Sequence, residues 1–335
     1  MSFWKGKVGP ILIAEIGGNH EGDFEYAVEL TRLAIEADVD YIKFQIYTGD
    51  TLVNKLESPT RNEHFKKFEL TREQHLTLAQ MCHERNIGYL ASIWNTADLD
   101  WIDQHMNFYK IGSGDLTAYP VLKAIASKNK PIVLSTGLAE KSEVIDTIEY
   151  LQSINPMYAD KNNLALLQCT AMYPIPNSDA NLLVIQDLKQ ATGLTVGYSD
   201  HTVGSQALEA AVTLGAEILE FHFTDTRENK SFRDHQVSLT KDEVILLKEK
   251  ILLIQDLLGS PQKQSLKIEA QHLVSFRRAI FLNRDLGKNE IIKETDLTFL
   301  RPNHGIDARE VKRLIGKRAK TKIKKLQKLD WSLFT

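Results

Sequence analysis

The sequence is poor in cysteine and has no long apolar run. Its two cysteines, Cys82 and Cys169, stand far apart without a CxxC spacing, so we expect no disulfide framework and a reducing, cytoplasmic location. No apolar stretch approaches the ~18 residues that span a bilayer, and the N-terminus lacks the pattern of a signal peptide. The formal net charge of -3 argues against general nucleic-acid binding. We therefore expect binding to neither membranes nor nucleic acids.

The sequence does contain a regular alternation of apolar runs and segments with helical period. Eight runs are continuously apolar, as in parallel strands that are buried on both faces, and they cover 10–16, 40–46, 87–93, 107–111, 131–134, 164–169, 194–198 and 217–221. Between and after them the spacing predicts helices over 24–37, 71–86, 120–127, 141–153, 182–191, 205–214 and 240–258. Residues 47–68 are predicted to form a long polar loop. Eight such units predict a (β/α)8 TIM barrel. A doubly wound sheet is the alternative, disfavoured because no glycine-rich loop follows the first strand.

The pattern changes after the last predicted helix. Short strands are predicted at 279–282 and 297–300, with glycines as turns and frequent Lys and Arg. This predicts a small, basic, β-rich second domain, too short to bury a large core by itself. We therefore predict a barrel domain over residues 1–260, a linker over 261–272 and the second domain over 273–335.

Two histidines follow or end neighbouring predicted strands. His201 follows the seventh run and His222 follows the eighth, and the ends of parallel barrel strands meet on the face where active sites form. Two neutral imidazoles suit a borderline divalent metal such as Mn²⁺, Zn²⁺ or Fe²⁺. The alternative is two unrelated histidines with no shared role.

Two lysines lie inside apolar strands, where a charge is costly unless it is paired or functional. Lys43 lies in the second run and Lys110 in the fourth, and Ser113 stands between two glycines just after the fourth. A structural ion pair explains a single buried lysine well. Two lysines with hydroxyls and turn amides nearby match a phosphate site. A phosphate beside a two-histidine metal suggests a phosphorylated substrate and a metal acting as a Lewis acid.

Several stretches together resemble the sialic acid synthase family, including its C-terminal antifreeze-like (SAF) domain. They occur in order over nearly the whole chain, and they read AEIGGNH (14–20), KFQ (43–45), FYKIGSGD (108–115), PIVLSTG (131–137), LLQCTAMYP (166–174), GYSDHT (197–202), HFTD (222–225) and RRAIFLNRDLGKNEIIKETDLTFLRPNHGI (277–306). The resemblance implies condensation of phosphoenolpyruvate with an open-chain N-acylamino hexose, such as N-acetylmannosamine. The products would be a nine-carbon sialic acid and phosphate.

The resemblance also implies roles for particular residues. His201 and His222 would be catalytic and would bind a divalent metal, Mn²⁺ or Mg²⁺. Glu15 would be catalytic through proton transfer. Arg301 would reach the sugar's N-acyl group from the second subunit of a domain-swapped homodimer. Phosphoenolpyruvate would be held by Lys43, Lys110, Ser113, Ser135 and Ser199. The sugar would be surrounded by Gln45, Tyr173 and Asp234.

The chain departs from the family pattern near the sugar end. Ala171 stands where the family often has Ser or Asn. The third strand ends in Ala-Ser-Ile-Trp-Asn (91–95) where the family usually has a turn like Ser-Thr-Pro-Phe. Residues 226–233 stand where the family tends to have a Gly-Pro before Asp234. These departures put the identity of the amino sugar in question rather than the reaction type. A di-N-acetylated 6-deoxy hexose, giving legionaminic or pseudaminic acid, is the alternative substrate.

Two other classes of function stay open at this point. One is an aldolase that uses Lys43 or Lys110 as a Schiff-base nucleophile, which leaves both histidines unexplained. The other is a non-catalytic sugar-binding protein, which leaves the costly charged residues at the strand ends without a function.

Overall fold

Eight parallel strands form one sheet in the hydrogen-bonded order β3-β2-β1-β8-β7-β6-β5-β4. Strands β3 and β4, at the two ends of this order, contact each other, which gives the sheet the closed form of a TIM-like barrel. The computed structural model describes residues 3–335. The strands are β1 (Ile11–Glu15), β2 (Tyr41–Ile46), β3 (Gly88–Ile93), β4 (Tyr109–Ile111), β5 (Ile132–Ser135), β6 (Leu164–Cys169), β7 (Thr195–Asp200) and β8 (Ile218–His222). The predicted (β/α)8 fold is confirmed.

Helices cover the outside of the sheet and follow the predicted order. In this unit they are α1 (Phe24–Glu36), α2 (Gly49–Leu52), α3 (Pro59–Lys67), α4 (Arg72–His83), α5 (Leu99–Ile102), α6 (Tyr119–Ala126), α7 (Lys141–Ile154), α8 (Val184–Thr192), α9 (Gln206–Thr213), α10 (Asp234–Val237) and α11 (Lys241–Leu258). Most ends differ from prediction by one or two residues. Helix α4 stops three residues early, before a turn in which Asn86 has a φ of 57°.

The predicted loop over residues 47–68 contains two helices, α2 and α3, so that prediction was wrong. A reciprocal side-chain cap between Thr48 and Thr51 begins α2, and Pro59 stands in the first turn of α3, a position that tolerates proline. Helix α3 is strongly polar and largely exposed. It therefore has no apolar stripe that would have revealed it in the sequence.

The side chains that face the inside of the barrel change from apolar to polar along the strands. Residues two apart in a strand point to the same side, and at the amino ends these inner positions are apolar. They form a buried cluster made of Ile11, Ile13, Leu90, Phe108, Val133, Ala165, Leu167 and Ile218 together with Trp4. Toward the carboxyl ends the same alternation continues with charged and polar residues. On β1, for example, Ile11 and Ile13 are followed by Glu15, and on β8 Ile218 is followed by Glu220 and His222.

The chain divides into two compact units at Gly259 and Ser260. In the second unit, β9 (Ala279–Leu282) pairs antiparallel with β10 (Leu297–Leu300), at the predicted positions. Two short helices, α12 (His272–Ser275) and α13 (Val311–Leu314), accompany them. The unit has its own apolar core, which includes Ile280, Leu282, Leu286, Ile292, Leu314 and Ile323.

The stretch predicted as a linker, residues 261–272, includes a 3₁₀ turn at Lys267–Glu269, and its assignment as a linker stays a prediction. Within residues 3–335, no helix combines the length and the apolar character needed to cross a bilayer.

Gly197 in β7 offers a test of the barrel packing. A Cβ atom there would lie 2.2 Å from the carbonyl oxygen of Ile218 and 2.7 Å from Leu167 Cδ2. We expect Gly197→Ala to lower the free energy of unfolding by about 1–3 kcal/mol, because overpacking forces the backbone to move. Urea unfolding measures this change. Gly112→Ala is the matched control, since nothing lies within 4 Å of the added atom; an equal loss in both variants would contradict the expectation.

Candidate active site

A cavity of about 1130 Å³ opens at the carboxyl ends of the strands. Each strand contributes its last inward-facing side chain or the residue just beyond it. The cavity is lined by every barrel residue to which a role was predicted, namely Glu15, Lys43, Gln45, Lys110, Ser113, Ser135, Tyr173, Ser199, His201, His222 and Asp234. The fold therefore brings these residues to one place; the role of each residue stays a prediction.

Two lysines and two glutamates form a buried cluster at the base of this cavity. Lys43 Nζ donates to Glu15 Oε2 and lies 3.9 Å from Glu220 Oε2. Lys110 Nζ lies 3.5 Å from Glu220 Oε1 and donates to the carbonyl oxygen of Ile111 at 3.1 Å. Glu220 thus stands between both ammonium groups. We call Lys43, Lys110, Glu15 and Glu220 the lysine–glutamate cluster.

Burial and charge act differently on the two carboxyl groups of the cluster. Burial raises the pKa of Glu15, and the nearby Glu220 charge adds to this effect against the opposing charge of Lys43. Burial would also raise the pKa of Glu220, but the charges of Lys110 and Lys43 outweigh it and hold that pKa below its ordinary value. Glu220 is therefore the fixed anion of the cluster, and Glu15 is the carboxyl group that can take up a proton more readily.

The lysines respond in opposite directions. The charges of Glu15 and Glu220 overcome burial and raise the pKa of Lys43. For Lys110, burial outweighs the single nearby partner Glu220 and lowers the pKa. The geometry of the cluster is thus compatible with both interpretations of the buried lysines, as partners in ion pairs and as ligands of an anion. Lys110 is the less fully neutralised of the two.

Three serines line the same cavity as the cluster. Ser199 Oγ donates to Glu220 Oε1 at 3.1 Å, and Ser113 Oγ accepts the amide hydrogen of Gly137 at 3.0 Å. Ser135 Oγ is buried, and within residues 3–335 it has no hydrogen-bond partner. Since a buried polar atom without a partner is costly, Ser135 is ready to bind a group that enters the cavity.

The two histidines lie together above this cluster. Their ring centroids are 5.3 Å apart, and the Tyr173 ring lies 4.0 Å from His201 and 5.4 Å from His222. Burial lowers the pKa of His201 and that of His222 to about 3, so both rings are neutral near pH 7. His201 Nδ1 lies 2.7 Å from the carbonyl oxygen of Thr170 and must donate to it, which leaves Nε2 as a lone-pair donor.

The donor set fits a divalent cation with two protein ligands. His222 Nδ1 is buried and has no hydrogen-bond partner in the described part of the chain, and Asp234 Oδ2 lies 3.8 Å from it. Neutral imidazole is the form of histidine that binds metals. Within residues 3–335, no three or more His, Cys, Asp or Glu side chains form a group that could hold a metal. A metal bound by His201 and His222 would therefore need water or substrate to complete its coordination.

The predicted sugar residues divide between the two units. Gln45 Nε2 donates to Glu15 Oε1 at 2.9 Å, and Gln45, Tyr173 and Asp234 line the cavity. Arg301 belongs to the C-terminal unit, where its guanidinium lies 5.6 Å from the ring centroid of Phe276. Its reach into a partner's site stays a prediction.

Sequence reasoning missed some residues of the cavity. Glu220 had no predicted role, although a carboxylate inside an apolar strand was a visible signal. Arg233 and several aromatic residues also line the cavity. These aromatic residues are Tyr47, Phe68 and Phe232 on loops and Phe65 on the polar helix α3, and none of them has a pattern that would single it out.

The fold and the cavity define a TIM-barrel protein with a charged site at the carboxyl ends of its strands and a separate β-rich unit. The chain belongs to the NeuB family, whose model matches residues 30–263, and the SAF domain model matches residues 277–335. Both the predicted family and the predicted C-terminal domain are thereby confirmed.

Named relatives share most of the chain. The N,N'-diacetyllegionaminic acid synthase of Campylobacter jejuni is 34% identical over 92% of this chain and 95% of its own. The pseudaminic acid synthase of Helicobacter pylori is 28% identical over 92% and 93%. The crystal structure of N-acetylneuraminic acid synthetase from Leptospira borgpetersenii is 29% identical with a TM-score of 0.73, over 79% of this chain and 90% of that one. The chain thus falls among sialic, legionaminic and pseudaminic acid synthases.

Glu220→Gln tests the lysine–glutamate cluster. We expect the variant to lower the free energy of unfolding by about 3 kcal/mol at neutral pH, because it leaves two buried ammonium groups without their shared carboxylate. The pKa of Glu220 is lowered in the fold, so its contribution is complete above the unfolded pKa of about 4.3 and is lost as the pH falls toward the folded pKa. Urea unfolding across this pH range measures both effects.

Glu36→Gln is the matched control. Glu36 pairs with Arg32 at the exposed surface, where an ion pair contributes little. We expect no measurable change in unfolding. A Glu220→Gln variant as stable as this control would contradict the assigned role of the cluster.

Proposed function

We propose that this protein condenses phosphoenolpyruvate with an open-chain N-acylamino hexose to give a nine-carbon acid of the sialic type and inorganic phosphate. One observation carries the proposal. The lysine–glutamate cluster and three serine hydroxyls lie in the same cavity as two neutral histidines, so groups suited to an anion and groups suited to a metal share one cavity. The synthase names of the relatives support the same reaction class.

Phosphoenolpyruvate would bind at the base of the cavity. Lys110, which is only partly neutralised, and Lys43 supply positive charge to the phosphate. Ser113, Ser135 and Ser199 supply hydrogen bonds, and the unpartnered Ser135 hydroxyl is a ready donor. Charge-assisted hydrogen bonds of this kind are the stronger ones.

The charge balance of the site supports the binding of a divalent metal ion. The cluster holds as many carboxylates as ammonium groups, and a phosphoenolpyruvate anion adds several negative charges. A divalent ion held by His201 and His222, which we propose to be Mn²⁺ or Mg²⁺, would offset part of that charge. When bound, such an ion supplies Lewis-acid polarisation of the sugar aldehyde oxygen.

The reaction then needs one new carbon–carbon bond and two proton transfers. The methylene carbon of phosphoenolpyruvate attacks the aldehyde carbon, and water adds to the cationic C2 that results. The C2–O bond to phosphate then breaks, and the C2 hydroxyl becomes the ketone as its remaining proton passes to the leaving phosphate. We assign Glu15 to carry the proton from the attacking water to the new hydroxyl, because its raised pKa favours exchange near neutral pH.

The sequence leaves two sugars open as the second substrate, and the names of two relatives favour one of them. Two matched synthases, from Campylobacter jejuni and Legionella pneumophila, are named for N,N'-diacetyllegionaminic acid and are 34% and 35% identical to this chain. This supports a di-N-acetylated 6-deoxy hexose over N-acetylmannosamine. We also propose a cytoplasmic, domain-swapped homodimer in which Arg301 reaches the sugar of the partner.

Phosphate release from phosphoenolpyruvate tests the reaction. With Mn²⁺ present, we expect release that depends on an added N-acylamino hexose, and we expect His222→Ala to abolish it while the variant stays folded. Phosphoenolpyruvate labelled with heavy oxygen at its bridging atom should transfer that label to phosphate, as cleavage of the C–O bond requires. Label retained in the sugar acid would contradict the proposed mechanism.

Two results would favour the other classes of function. Covalent trapping of a carbonyl substrate on Lys43 or Lys110 by borohydride would support a Schiff-base aldolase. Sugar binding without any phosphate release, from folded protein loaded with metal, would support a non-catalytic binding protein.

Lys110→Met tests the anion site separately. We expect KM for phosphoenolpyruvate to rise about 10- to 100-fold, the effect of losing one charged hydrogen bond, with a smaller change in KM for the sugar. Steady-state kinetics at saturating co-substrate measure both constants. Lys189→Met is the matched control, since Lys189 pairs with Glu217 at the surface and should leave KM unchanged. Equal effects on both substrates would argue against a phosphate role for Lys110.

A further inference from the structure

The loop after β8, residues 226–233, is held firmly beside the cavity. Arg227 donates to both carboxylate oxygens of Glu243, at 2.7 and 2.6 Å. Lys230 Nζ lies 4.1 Å from the ring centroid of Tyr26. Both contacts fix the loop to helices of the barrel, Glu243 in α11 and Tyr26 in α1. The last two residues of the loop, Phe232 and Arg233, are therefore held in place at the cavity.

Phe232 completes an aromatic wall in the cavity. Its ring centroid lies 4.9 Å from that of Phe68 and 6.0 Å from that of His64. A Cβ atom on Gly18 would lie 3.1 Å from two atoms of the Phe232 ring, so the ring packs directly on the glycine backbone. We call Phe232, Phe68 and His64 the aromatic wall. It joins the segment after β2, where His64 lies on α3, to the loop after β8.

Arg233, the residue after Phe232, has two guanidinium nitrogens that are available as hydrogen-bond donors. Its guanidinium lies 4.7 Å above the Tyr173 ring, and Nε donates to Asp234 Oδ1 at 3.3 Å. Across residues 3–335, neither Nη1 nor Nη2 of Arg233 makes a hydrogen bond, and the side chain is 66% exposed. The fork of the guanidinium is therefore oriented by a ring and a carboxylate while its outer nitrogens remain available.

The position of the wall determines which end of the sugar reaches it. The aldehyde carbon must approach the lysine–glutamate cluster and the histidines, which lie on or directly beside the strand ends. Phe68, Phe232 and Arg233 lie on loops beyond the strands, and His64 lies on α3. The far end of an open-chain hexose, with its later carbons, therefore points toward them.

We propose that the aromatic wall and Arg233 select a hexose that carries acylamino groups at two carbons and ends in a methyl group. This inference rests on the proposed function and names its specificity-determining residues. A terminal methyl group packs on aromatic rings without losing a hydrogen bond, whereas a terminal hydroxyl would be desolvated there. Arg233 donates to the carbonyl oxygen of the second acyl group, a neutral acceptor that suits its free fork.

Substrate preference tests this selection. The values of kcat/KM are compared for a di-N-acetylated 6-deoxy hexose, N-acetylmannosamine and N-acetylmannosamine 6-phosphate. We expect the wild type to prefer the first. Phe232→Ala should lower kcat/KM for that sugar about 10- to 100-fold, with much less change for N-acetylmannosamine. Arg233→Ala should raise the KM for the di-N-acetylated 6-deoxy hexose about 10-fold. Arg233→Lys should give a KM between those of the wild type and Arg233→Ala.

Gly18→Ala gives a second route to the same result. The added methyl group displaces the Phe232 ring without removing it, so the same preference should weaken by a smaller factor. An unchanged KM for phosphoenolpyruvate in each variant shows that the barrel remains folded. Phe3→Ala and Arg32→Ala, which alter partly exposed side chains outside the cavity, should leave all constants unchanged.

Four outcomes would overturn the inference. An unchanged preference in both Phe232→Ala and Arg233→Ala would remove the wall and Arg233 as determinants. Preference of the wild type for the 6-phosphate, lost in Arg61→Ala, would mean that the cavity binds a second phosphate through Arg61, which also lines it. Phosphate release with every sugar at equal efficiency would refute selection while leaving the proposed reaction intact. No release with any sugar would refute the proposed reaction and the inference with it.

Discussion

The structure of the site depends on one arrangement of charges, in which Glu220 stands between Lys43 and Lys110 while Glu15 holds Lys43 from the other side. Four ionisable groups in a barrel interior are stable only because each neutralises another. Their mutual attraction lets the strands carry charge at their carboxyl ends without unfolding. It also keeps the total charge near zero, so that an entering anion must be met by additional positive charge.

Much of this arrangement could be predicted from the sequence because the barrel makes it periodic. A strand side chain that faces inward is followed by another two residues later, so charged residues inside apolar runs had to face the interior together. The eight runs located the strands, and Lys43, Lys110, His201 and His222 followed from their positions at the strand ends. The pairing of both lysines with Glu220 did not follow, since β8 is a neighbour of neither β2 nor β4 in the sheet and the sequence does not tell which strand ends face each other across the barrel.

The sugar end was harder to predict for a different physical reason. Helix α3 and the loop that carries Phe232 and Arg233 are polar segments stabilised by caps, ion pairs and local contacts rather than by an apolar face. Such segments have no hydrophobic period, so their side chains could not be assigned to the cavity in advance. Because such loops are held by local contacts, they can change without disturbing the barrel core.

The buried hydroxyl of Ser135 also affects the stability of the protein. This hydroxyl has no hydrogen-bond partner among residues 3–335, and His222 Nδ1 shares that condition. Folding must desolvate these atoms without a compensating bond, so the ligand-free protein is less stable than its packing alone would allow. A search for heat-resistant variants in the absence of substrates would therefore favour replacing these residues. Long-term storage and directed evolution of this protein are best carried out with an anion in the cavity.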